Sequence, residues 1–135
     1  MTDDQHHPWH QVQEDLRQPA KDLRALIPDV LKSYGALHHA AMADAELSTG
    51  TKELIAIAVA VALKCDGCIA SHARSAARAR VSRAAVAEAL GVAILLTGGP
   101  GTVYGPRALE AYDEFIVDYQ ATDTPLTGQD ASGTV

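Results

Sequence analysis

From Val12 to Ala43 apolar residues recur at helical spacing, and Val30, Leu31, Tyr34, Leu37 and His38 mark a helix predicted over residues 28–43. Pro19 and Pro28 are expected in the first turns of successive helices, where a missing amide removes no intrahelical bond. The stretch Ala45-Glu46-Leu47-Ser48-Thr49-Gly50 breaks the pattern, with Ser48 or Thr49 as the capping hydroxyl of the next helix. That helix, predicted over about 50–64, is apolar on nearly every side, since Leu54 to Leu63 runs for ten residues without a polar side chain. Ile55, Ile57, Val59 and Val61 alternate with Ala, so period alone does not separate helix from strand. Length, alanine content and helical neighbours favour helix. Residues 66–80 form a further Ala- and Arg-rich segment. Ser82 then caps a helix with Val86, Leu90, Ala93, Ile94 and Leu96 as its stripe, and Gly98-Gly99-Pro100-Gly101 stops it. A last helix over 103–120 carries Leu109, Tyr112, Ile116 and Tyr119. Residues 1–11 read as a flexible arm and 121–135 as a disordered tail, leaving 12–120 as one helical domain.

Composition sharpens this picture. The 135 residues are 47% hydrophobic but only 4% aromatic, so the apolar mass is mostly small and aliphatic. Such side chains let helices approach closely, whereas a β-sandwich would want more aromatic and β-branched alternation. The expected fold is all-α, a compact domain of five to six helices. One domain of this size and composition can hardly enclose the 50–64 helix all round, so burial completed by another subunit is expected. A net charge of −6 and a pI near 5.4 argue against a phosphate-tracking surface. The acidic start lacks the Lys or Arg of a signal peptide, and a bilayer span needs about 20 apolar residues. A soluble, cytoplasmic protein without nucleic-acid or membrane partners is therefore expected.

The candidate chemistry lies between residues 53 and 72. Cys65 and Cys68 are the only cysteines, His72 follows Cys68 by one helical turn, and Glu53 stands twelve residues before Cys65. A thiol must ionise to attack a peroxide or a disulfide. A helix beginning near Asp66 would bring unpaired amides to the sulfurs, His72 could take a thiol proton, and Glu53 could orient His72. A second cysteine can condense with a sulfenic acid, and a reductant resets the disulfide. Two other readings compete: a zinc-stabilised helical module with a Cys2His site completed by Glu53, and a redox-sensing or assembly protein that uses the cysteines as a switch. Redox turnover is favoured because structural zinc usually takes four protein ligands and no second C-x-x-C is present. Neither a cofactor nor a resident metal is expected. His38 and His39 read as boundary or surface residues. His6, His7 and His10 lie in the arm, where adventitious metal binding is their expected effect. Arg74, Arg78, Arg80 and Arg83 read as a solvated face, and Glu88, Glu110 and Glu114 as exposed charges. Tyr104 and Tyr112 are candidates to reach the thiol pocket. The glycines near residue 100 lack the G-K-[ST] of a phosphate cradle.

Glu53, eleven intervening residues, Cys65-x-x-Cys68, three residues and His72 resemble the signature of the alkylhydroperoxidase D-like and carboxymuconolactone decarboxylase-like superfamily. The run Leu47-Ser48-Thr49-Gly50-Thr51-Lys52-Glu53-Leu54-Ile55 is also similar to that family's entry into its core helix. The likeness spans roughly Pro28 to Tyr119. It implies an alkylhydroperoxidase D-like fold, trimers or hexamers, and reduction of alkyl hydroperoxides or partner disulfides. By position, Cys68 would attack the peroxide, Cys65 would resolve, and Glu53 and His72 would relay protons. The implied electron donor is a dithiol or lipoyl-bearing protein, or a peroxiredoxin. Gly67 departs from the pattern, because peroxidase members carry His there. The lactone decarboxylases lack the cysteine pair, so decarboxylation is not implied.

Overall fold

A computed structural model describes residues 7–123, and these form six α-helices and a closing 3₁₀ turn at Ala121–Asp123, with no strand among the described residues. The helices are α1 (Pro8–Leu26), α2 (Pro28–Met42), α3 (Thr49–Ala62), α4 (Asp66–Arg78), α5 (Arg83–Thr97) and α6 (Gly99–Gln120). Several boundaries follow local chemistry. Pro28 opens α2, and the hydroxyls of Ser48 and Ser82 accept from the amides of Thr51 and Ala85, each at 3.1 Å, to cap α3 and α5. Asp44 adds a second cap, accepting from the Thr49 amide at 2.6 Å. Gly98 ends α5 at φ 66, a conformation that suits glycine. The chain re-enters helix at once at Gly99, not near 103 as predicted.

Two expectations from the sequence are corrected at the N-terminus. Pro19 does not begin a helix but lies inside α1. The flanking residues are good helix formers on an exposed stretch, where water can satisfy the carbonyl left without an amide partner. The flexible arm is not found at its inner end either, because α1 begins at Pro8 and Trp9 is only 2% exposed. Residues 1–6 of that arm, His6 included, and the tail from 124 lie outside the described residues. Trp9 Nε1 donates to Glu110 at 3.0 Å, and the Trp9 and His10 amides donate to Glu114 at 3.3 and 2.7 Å. Glu114 is thus no exposed charge: its side chain is 9% exposed and serves as the anion at the start of α1, contributed by α6. The His10 ring lies 2.7 Å from Glu114 and 2.8 Å from Asp118. Partial burial works to lower its pKa, but hydrogen bonds to Asp118 and Glu114 outweigh it and hold the imidazole above its ordinary value.

The core gathers around α4, which packs on α6, α3 and α1, while α5 packs on α6 and α3. Ile69, Ala70, Ala73, Ala76 and Ala77 of α4 are fully buried, so small side chains admit neighbouring helices closely. Phe115, Ile57, Val61 and Val86 fill the remaining volume. Burial of a side chain such as Phe115 stabilises by roughly 2–3 kcal/mol. Two turns enclose α4, and both follow one plan. Lys64 and Arg80 adopt positive φ of 55° and 60°. The next amides, of Cys65 and Val81, reach back to the carbonyls of Ala60 and Ala76, each at 3.1 Å. This is the Schellman arrangement, usually built on glycine. It brings the chain round within two residues and sets Cys65 at the entrance to α4.

Candidate functional site

Cys65 caps α4: its sulfur accepts from the Cys68 amide at 3.2 Å. Cys68 follows in the first turn, and the two sulfurs are joined in a disulfide. The positive end of the α4 dipole therefore lies at the sulfur pair, where it favours negative charge on a thiolate. One turn further along, His72 extends from α4 toward α3, and its Nδ1 lies 2.8 Å from Glu53 Oε2. Glu53 is 3% exposed, and is the one buried charged residue among those described. A carboxylate in that setting requires a donor, and His72 supplies it. An ionised carboxylate only accepts, so the ring donates Nδ1–H and, when neutral, carries its lone pair on Nε2.

On one side of the pair is an open cavity of about 250 Å³ lined by Ala56, Val59, Ala60, Leu63, Cys68 and His72. Its walls are aliphatic apart from the sulfur and the imidazole, which suits an organic group more than an ionic one. On the other side, His38, His39, Met42, Ala43, Thr49, Glu53 and Arg78 line a cleft of about 270 Å³. The His38 ring stacks on that of His72, with centroids 6.2 Å apart and planes at 24°. The Glu53–His72 pair thus separates an apolar pocket from a polar cleft.

The structure brings together Glu53, Cys65, Cys68 and His72 at the junction of α3 and α4. His38 and His39 are exposed, as boundary or surface residues, and line the cleft beside Glu53. Tyr104 and Tyr112 do not line the Cys68 pocket: Tyr104 stacks on Arg107, and the Tyr112 hydroxyl donates to the Val81 carbonyl. Arg107 also pairs with Asp66 at 2.9 Å, bracing the first turn of α4. A Cβ at Gly67 would lie 3.1 Å from Leu16 Cδ1, the tip of a half-exposed α1 side chain that would have to give by a few tenths of an ångström.

The chain matches the Carboxymuconolactone decarboxylase family over residues 28–111, which includes every residue of this site from His38 to Arg107. An uncharacterised protein of Haemophilus influenzae is 41% identical over 104 residues, spanning 77% of this chain and 92% of its own length. Another, of Cupriavidus necator, is 38% identical over 86 residues, or 64% of this chain and 76% of that one. The crystal structure of apo-lpg0406, a carboxymuconolactone decarboxylase family protein from Legionella pneumophila, superposes with a TM-score of 0.80 at 34% identity, covering 82% of this chain and 99% of the other. Family match and fold agree: this chain, all-α over its described residues, belongs to the carboxymuconolactone decarboxylase family.

Proposed function

We propose that the protein is a thiol-dependent peroxidase or disulfide oxidoreductase, working through Cys65 and Cys68. The observation that carries this reading is the buried Glu53–His72 pair set one helical turn from a cysteine in the first turn of α4, with the second cysteine in bonding contact. In the reduced protein, His72 takes the Cys68 proton and Glu53 stabilises the resulting imidazolium. The Cys68 thiolate attacks an oxygen of an organic hydroperoxide. The O–O bond breaks, Cys68 becomes a sulfenic acid, and the departing alkoxide collects the proton from His72 to leave as an alcohol. The Cys65 thiol then displaces water from that sulfenic acid to give the disulfide. An external dithiol, such as a reduced lipoyl-bearing protein, restores both thiols by exchange and is itself oxidised.

Assembly belongs to the same reading. Ile55 and Val59 of α3 and Leu63 at its C-terminal cap are 51%, 50% and 69% exposed. Val59 and Leu63 also wall the Cys68 pocket. A second subunit, in a trimer or hexamer, would cover this stripe and close the pocket from water.

The test uses reduced protein and one equivalent of cumene hydroperoxide. Thiol titration should fall from two per chain to none, and dihydrolipoamide should sustain turnover. Cys68→Ser should abolish peroxide consumption. Reduced wild-type protein that leaves the hydroperoxide and an added lipoamide disulfide both untouched would refute the reading.

A further inference from the structure

His7 and His10 stand three residues apart at the start of α1, and Glu114 and Asp118 four apart on the facing turn of α6. One ligand atom from each of His7, His10 and Glu114 lies within 4.8 Å of the other two. We propose that these three side chains bind a borderline divalent cation, with Zn²⁺ the best match, stapling α1 to α6.

The donor set fits. Two imidazoles and a carboxylate suit zinc, cobalt or nickel rather than the all-oxygen shells of calcium or magnesium. His10 is already oriented for the role: Nδ1 faces Glu114 Oε2 at 2.7 Å, and Nε2 faces Asp118 Oδ2 at 2.8 Å. A cation would replace the proton between Nδ1 and Glu114, while Nε2–H stays donated to Asp118. That hydrogen bond is the usual device that fixes the ring of a metal-bound histidine. Bonds of about 2.0–2.1 Å to one ion at a tetrahedral angle require the nitrogen and oxygen to part by roughly 0.6 Å. His7 is exposed and sits at the cap of α1, where its ring meets that of His10 edge-on with centroids 5.4 Å apart. Three protein ligands leave further positions to water. The site uses none of Glu53, Cys65, Cys68 or His72, and so stands apart from the redox reading.

The test uses the full chain without an added histidine tag and with the cysteines held as the disulfide, so that no thiolate competes. Zn²⁺ is titrated by calorimetry and Co²⁺ by visible absorption. One equivalent should bind with a micromolar or tighter Kd, and Zn²⁺ should raise the thermal midpoint by mass action. His7→Ala, with little structural role, and Glu114→Gln should each weaken binding by more than about tenfold, and Asp118→Asn by about tenfold. Circular dichroism of each variant establishes that α1 remains folded. Millimolar affinity, signifying an adventitious ion only, would overturn the proposal. So would affinity that survives Glu114→Gln in a folded variant, since it would mean chelation by the N-terminal imidazoles alone.

Discussion

Glu53 is a carboxylate buried on a helix that continues as an unbroken run of Leu, Ile, Val and Ala, and its polar partner is His72. Such placement is destabilising unless paired, so its retention points to use. Glu53→Gln and His72→Asn, each close in size to the original, should slow alkylation of reduced Cys68 by iodoacetamide at neutral pH by about tenfold or more. Unchanged rates would remove both residues from the relay. The proximity of Glu53, Cys65, Cys68 and His72 was legible in the sequence because they lie within twenty positions of one another and the last three fall at the cap and in the first two turns of α4. The burial of Glu114 and the contact of the exposed His38 ring with His72 were not. Their roles arise where one helix crosses another, and a partner 104 residues away, as His10 is for Glu114, leaves no trace in local period.

At the level of single elements, helix starts were easier to read than helix ends or interruptions. Ser48, Ser82 and Pro28 carry start signals in their own side chains. Lys64 and Arg80, by contrast, exit helices in a conformation the sequence reserves for glycine, and long polar side chains give no hint of it. Lys64→Gly should therefore stabilise the fold by about 0.5–1 kcal/mol in urea unfolding, while a β-branched Lys64→Val should destabilise it. Pro19 misled for the opposite reason: solvent exposure of α1 tolerates what a buried helix would not. The entry to α3 carries a pH dependence. The Thr49 amide holds the Asp44 carboxyl below its ordinary 3.8. A depressed carboxylate contributes its stabilisation above the unfolded value and loses it as pH falls through the folded one. Protection of the Thr49 amide from hydrogen exchange should thus be flat above pH 5 and decline only in stronger acid.

The whole molecule leaves much apolar surface open. Among the described residues α2 packs on α1 and α3 and meets α4 through the His38–His72 ring contact, and none of its side chains is buried. Leu26, Val30, Tyr34 and Leu37 continue an exposed stripe along α1 and α2. Light scattering should give a mass that is a multiple of 14.2 kDa, and Val59→Arg should reduce it to the monomer. A monomeric wild type would end that expectation. The grip of Glu114 on the Trp9 amide joins positions 105 apart, and this distance along the chain has a kinetic meaning. Closing so large a loop is entropically slow compared with pairing neighbouring helices. Docking of α1 should therefore follow the rate-limiting barrier. Trp9→Ala should accelerate unfolding in a stopped-flow chevron yet leave the refolding limb where it was.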